Sequence, residues 1–132
     1  MNILITGGRA PSALYLTRLF AKAGHNVYIA DSTKNHITRY SRYVTKSFHI
    51  SSPKFSYDKF VDDIECLLKK YDIQMLIPTC EEVFYISMAK KRLANYSAIY
   101  CDDFEKLNLL HNKYKFINYL KDTNVKFYTV VY

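Results

Sequence analysis

Glycine is scarce in this chain, with three in 132 residues, at positions 7, 8 and 24. A dinucleotide loop needs one glycine for the turn, one where the backbone approaches phosphate and one where helix packs on strand. The stretch Gly7-Gly8-Arg9-Ala10-Pro11-Ser12-Ala13 supplies only the turn glycines. Ala10 and Ala13 are small enough for close packing, which leaves a degenerate fingerprint open. Pro11, however, removes an N–H from the helix N-terminus where a pyrophosphate would be held. Cysteine is equally sparse. Cys66, Cys80 and Cys101 are odd in number and unpatterned, which argues against a disulfide framework or a zinc site and for reduced thiols in a cytoplasmic protein. His25, His36, His49 and His111 lack metal-ligand spacing and read as surface or satisfied side chains. No apolar run approaches the roughly 18 residues of a membrane span, and Met1-Asn2-Ile3 shows no basic start of a signal peptide. No repeat or low-complexity linker is visible.

What is present is ordinary for a globular domain: 49% apolar and 23% charged residues, over a length that buries a real core. The net charge of +7 invites a nucleic-acid reading. The one concentrated patch is Lys34, His36, Arg39, Arg42 and Lys46, interleaved with Tyr40 and Tyr43. Such a patch could hold phosphates and stack bases. No recognised nucleic-acid motif accompanies it, and many other cations fall at helix ends, so nucleic acid is not the expected partner.

Along the chain, Asn2 to Thr6 is a continuous apolar run suited to a strand buried on both faces. Pro11 suits a first helical turn, Gly24 a left-handed cap, and Ala13, Leu16, Phe20 and Ala23 form a stripe between them. Val27 to Ala30 reads as a second strand, Thr33 to Thr45 as a basic loop with one helical turn, and Ser47 to Ile50 as a third strand. Ser56 suits an N-cap for a helix carrying Phe60, Ile64, Leu67, Leu68 and Tyr71, with early aspartates and late lysines as the helix dipole prefers. Gln74 to Ile77 is a fourth strand; Glu81 and Glu82 open a helix that runs to Arg92; Ala98 to Cys101 is a fifth strand. Asp102 or Asp103 caps a short helix with Phe104 and Leu107. A further helix starts near Asn112 and ends by Asn124, and Phe127 to Tyr132 reads as a last strand. This alternation predicts an α/β fold, a doubly wound parallel sheet of about five strands with helices on both faces.

In such a sheet, ligands bind beyond the carboxyl ends of the strands, at the switch point. With the order 3-2-1-4-5, three loops meet there: Thr6 to Arg9, Asp31-Ser32, and Thr79 to Glu82. Arg9 could bind an anion. Asp31 reads best as the start of an Asx-turn rather than a ribose ligand. Glu81 or Glu82 could hold an amine, although acids at a helix start need no further reason. Cys80 has no histidine nearby in sequence to activate it and reads as structural.

Together these stretches resemble the N-terminal domain of ATP-grasp enzymes, in the carbamoyl-phosphate-synthase-like and biotin-carboxylase-like branch. The resemblance rests on ILITGGRAPSALYLTRLFAKAGHNVYIADS, on RYSRYV at Arg39 to Val44, on LIPTCEEVF at Leu76 to Phe84 and on NKYKFINYLKDTNV at Asn112 to Val125. It implies a Rossmann-like domain over 1–111 that does not bind a dinucleotide, and the start of a truncated ATP-grasp module over 112–132. It implies substrate contacts at Gly7, Gly8, Arg9 and Glu81, and a nucleotide-phosphate contact at Lys113. Two departures stand out: Asn112 replaces the more usual acid, and no proline occurs near Lys126 to Tyr128. The family's phosphate loop and Mg²⁺ ligands would lie further on. The implied protein is therefore the substrate-side piece of an ATP-dependent carboxylate–amine ligase that works through an acyl phosphate. ATP and Mg²⁺ would act in the full-length enzyme, with none held tightly here. This piece alone is expected to be inactive, with no catalytic residue or metal ligand of its own. Its expected partners are the missing C-terminal ATP-grasp domain and a small-molecule substrate. No membrane partner is expected, and homo-oligomerisation stays open. The alternative is an NAD(P)-binding domain of a dehydrogenase or epimerase. A third reading is a basic module that binds nucleic acid through Arg39 to Lys46.

Overall fold

The computed structural model describes residues 1–123 and 125. The strand expected at Phe127 to Tyr132 and the helix end expected at Asn124 fall outside these residues. The described chain divides into two compact units, one over Met1–Cys101 and one that begins at Asp102.

In the first unit five parallel strands form one sheet: β1 (Asn2–Thr6), β2 (Asn26–Asp31), β3 (Lys46–His49), β4 (Met75–Pro78) and β5 (Ala98–Ile99). Their order is β3-β2-β1-β4-β5, the expected one. β1 is central, with Ile5 opposite Ile29 of β2 and Ile77 of β4. Side chains alternate across a strand, and here both faces are covered. Ile3, Ile5, Val27, Ile29 and Ile77 pack with Ala10 and Ala13 on one face. Leu4, Ala30 and Leu76 pack with Phe60, Ile64, Leu68, Ile86 and Leu93 on the other.

The helices follow from local chemistry. α1 (Pro11–Lys22) begins on Pro11, whose missing N–H costs nothing in a first turn. It ends in a Schellman motif: Gly24 takes φ +86°, its N–H reaches Ala21 O, and His25 N–H reaches Phe20 O. The stripe ends one turn earlier than expected, because Ala23 is the exposed C-cap residue while Ala13 and Thr17 are buried. A 3-10 turn (Ile37–Tyr40) is the expected irregular turn of the basic loop. α2 (Tyr57–Lys70) buries Phe60, Val61, Ile64 and Leu68. Ser56 occupies its N-cap position without making a side-chain cap bond.

The single helix expected from Glu81 to Arg92 is two: α3 (Glu82–Met88) and α4 (Lys90–Leu93). The chain turns at Ala89, φ −91° and ψ 2°, which lets Ile86 and Leu93 reach the same core. β5 stops at Ile99, shorter than expected, because Cys101 N–H folds back onto Ile99 O.

The second unit contains α5 (Phe104–His111) and α6 (Lys113–Lys121). Asn112 joins them, and its side chain caps α6 by accepting the Lys115 N–H at 3.1 Å. α5 packs with α6 within this unit. Among the described residues no helix is long and apolar enough to cross a membrane.

Candidate functional site

The glycine turn follows β1, and both of its glycines answer to packing inside the chain. Gly7 has φ +76°, and a Cβ there would lie 2.5 Å from Thr79 Oγ1 and 2.9 Å from Thr79 O. Gly8 sits under the imidazole of His36, where a Cβ would meet Nδ1 at 2.5 Å and Ile29 Cγ2 at 2.7 Å. His36 is buried, and its Nδ1 accepts the Arg39 N–H while its Nε2 bonds Ser47. Burial holds its pKa below the ordinary imidazole value, opposed by the charge of Asp31. The loop is tied down further by Thr38, whose N–H donates to Gly8 O.

Three of the turn's backbone donors are engaged within the chain. Gly7 N–H donates to Ala30 O, Arg9 N–H to Asp31 Oδ2 at 2.9 Å, and Ala10 N–H to Gly7 O. Pro11 has none. Asp31 is fully buried at the end of β2. Its Oδ1 accepts the Thr33 N–H at 2.7 Å, the expected Asx-turn, while Oδ2 holds the glycine turn. A residue of the second strand thus fixes the backbone after the first.

Arg9 joins two buried acids. Nη1 lies 3.5 Å from Asp31 Oδ1 and donates to Thr33 Oγ1, while Nη2 donates to Glu82 Oε1 at 3.1 Å. Glu82 is 1% exposed and Arg9 42%. Burial raises the Glu82 carboxyl to about 7; the Thr6 hydroxyl opposes this, Asp31 adds to it, and Arg9 and the Gly7 backbone oppose it. Thr6 Oγ1 lies against the carboxyl, yet neither it nor Glu82 Oε2 completes a well-formed hydrogen bond. The outcome is a carboxyl with one charged partner, a second oxygen closed to solvent beside the Thr6 hydroxyl, and a midpoint near neutrality.

These groups border a cleft of about 680 Å³ lined by Arg9, Ser32, Ser52, Pro53, Lys54, Phe55, Glu81, Glu82 and Tyr85. It opens beyond the carboxyl ends of β1 to β4, where a switch-point ligand sits in an open α/β sheet. The expected residues distribute unevenly. Gly7 and Gly8 are buried in the turn, Arg9 lines the cleft, and Glu81 is exposed at its rim. Lys113 is exposed at the first position of α6, in the other unit. Glu82, the neighbour of the expected Glu81, is the acid that meets Arg9. Its spacing could have shown this: Glu82, Ile86, Ala89 and Leu93 recur at the interval of a buried helical face. The loop after β3, residues 52–55, was not expected at the site and had no sequence signal. Cys80, exposed beside the cleft, holds φ +54°, a conformation that costs a non-glycine residue energy.

No protein-family model matches the sequence, and no curated protein matches it. Solved structures share its architecture. An L-amino acid ligase from Bacillus licheniformis superposes with TM-score 0.74 at 12% identity over 95% of this chain. The fold is Rossmann-like. A glycinamide-RNase-transformylase T from Mycobacterium tuberculosis gives 0.63 at 10% identity over 92%. A dTDP-glucose 4,6-dehydratase from Bacillus anthracis, in complex with NAD, gives 0.50 at 15% over 75%. This Rossmann-like chain spans only 30%, 35% and 36% of those three chains, respectively.

Proposed function

We propose that this chain is the N-terminal, substrate-side domain of an ATP-grasp ligase that joins a carboxylate to an amine through an acyl phosphate. One observation carries the reading: the Arg9–Glu82 pair, half-buried on one side and fully buried on the other, at the switch-point cleft. A substrate amine or ammonium would reach this carboxyl by displacing the Arg9 guanidinium, since Oε2 is closed to solvent beside the Thr6 hydroxyl, and the midpoint near 7 lets the carboxyl supply charge when a cation arrives. Arg9 then turns toward the substrate carboxylate. Gly7 and Gly8 shape the turn. Glu81 offers a second, exposed carboxylate at the rim.

ATP supplies the phosphoryl group that activates the acid. Lys113, an exposed cation at the start of α6, fits a phosphate contact; the helix dipole alone would disfavour a lysine there. Among the described residues no group of three His, Cys, Asp or Glu side chains could hold a metal. The fold likeness to an L-amino acid ligase over nearly the whole chain supports the reading. The dinucleotide alternative has a structural neighbour in the dehydratase, but the engaged N–H groups of Gly7, Arg9 and Ala10 and the double use of Asp31 speak against it.

Reading the native transcript past Tyr132 tests this. A frame that continues into a glycine-rich phosphate loop and paired acidic metal ligands supports the ligase. A stop codon directly after Tyr132 removes it.

A further inference from the structure

The basic segment singled out in the sequence does not stay together. His36 turns inward against Gly8, and Arg39 Nη1 donates to the Lys34 carbonyl. Arg42 instead meets α1. It lines a depression of about 520 Å³ with Arg18, Lys22, Tyr40, Ser41 and Tyr43. Arg18 and Lys22 stand one helical turn apart, so both project from one side of α1.

Three cations thus face one depression, and no carboxylate lines it. Elsewhere Arg9, Lys69, Arg92 and Lys106 each reach an acid. Here the cations are arranged on an aromatic ring. Arg42 Cζ lies 5.1 Å and Lys22 Nζ 5.9 Å from the Tyr43 ring centroid, and Arg42 Nη2 donates to Tyr43 Oη at 3.1 Å. These contacts fix positive groups that repel one another, and an anion among them would relieve the repulsion. Ser41 Oγ accepts the Tyr43 N–H, which leaves its own hydrogen to donate. Tyr40 is 73% exposed and presents its ring in the same depression. None of these residues belongs to the cleft around Arg9 and Glu82.

We propose that Arg18, Lys22 and Arg42 form a second site, one that takes the phosphate of a nucleoside phosphate while Tyr40 stacks on its base. Arginine forks suit phosphate oxygens, and base–tyrosine stacking tolerates any base. The ligand is a free nucleotide or the same unit within a single strand.

The test titrates the whole chain, ¹⁵N-labelled, with AMP, inorganic phosphate and a ten-nucleotide single-stranded RNA, each at two salt concentrations. AMP is expected to shift the amides of Arg18, Lys22 and Tyr40 to Tyr43 saturably. R18Q/K22Q/R42Q is expected to weaken AMP binding at least tenfold, and Tyr40→Ala to lower AMP affinity to that of inorganic phosphate. An RNA affinity well above that of AMP, with a steep salt dependence, assigns the site to nucleic acid; equal affinities assign it to a free nucleotide. Both outcomes uphold the site. AMP and RNA shifts confined to Gly7–Arg9 and Glu82, or absent from residues 18–22 and 40–43, overturn it. Because the mapping uses the unmutated chain, it decides the matter even where the triple variant fails to fold.

Discussion

Arg9 Nη2 and Glu82 Oε1, 73 positions apart in sequence, meet at 3.1 Å across the ends of β1 and β4. The contact is lopsided. Arg9 keeps partial access to water while Glu82 has almost none, so the cost of ionisation falls on the carboxyl.

That asymmetry fixes a pH dependence. Glu82 ionises near its ordinary value when unfolded and near 7 when folded. Between those values the folded chain keeps a proton that the unfolded chain releases. Unfolding free energy should therefore fall as pH rises from about 4.5 to about 7, by on the order of 3 kcal/mol. Glu82→Gln should abolish this slope, matching the parent near pH 5 and exceeding its stability at pH 8. Urea unfolding of both proteins across this range checks it. His36 acts in the opposite sense, losing stability below its usual pKa because burial keeps it neutral, and the parent-minus-variant difference removes that contribution.

Arg9→Gln should behave as the reverse of Glu82→Gln. It leaves the buried carboxyl without its cation while the Arg9 N–H bond to Asp31 remains available to the backbone. The expected loss is about 2 kcal/mol at pH 8, less than for a fully buried pair because Arg9 is partly solvated, and smaller at pH 5. The ¹³C titration midpoint of the Glu82 carboxyl should rise above its parent value.

Gly8→Ala should destabilise by about 1–3 kcal/mol, the usual range for overpacking. The new methyl would meet His36 and Ile29. His36→Ala opens half of that space, so Gly8→Ala should cost markedly less in the His36→Ala background. A thermal-unfolding double-mutant cycle measures the coupling.

The fold was legible where the signal is local. Ile3, Leu4 and Ile5 announce a strand buried on both faces, and Pro11 and Gly24 bracket α1. The Asx-turn at Asp31 was legible for the same reason. What stayed hidden depends on contacts between distant segments. Which of Glu81 and Glu82 turns inward is a matter of helix phase, set by the core that Ile86 and Leu93 enter. The reason for Gly8 lies 28 positions away, in His36. The loop at Ser52 to Phe55 joins the cleft only because β3 lies at the sheet edge beside β2.

The most direct test of the central claim is an NMR titration of the ¹⁵N-labelled chain at pH 7.5 with an L-amino acid amide and, separately, with NAD⁺, repeated on Glu82→Gln. Weak, saturable shifts are expected at Gly7 to Arg9 and at Glu82 with the amide, lost in Glu82→Gln, with no saturation by NAD⁺ below the millimolar range. Sub-millimolar NAD⁺ binding that moves Gly7, Gly8 and Asp31, with no response to the amide, would contradict the central claim and restore the dinucleotide reading.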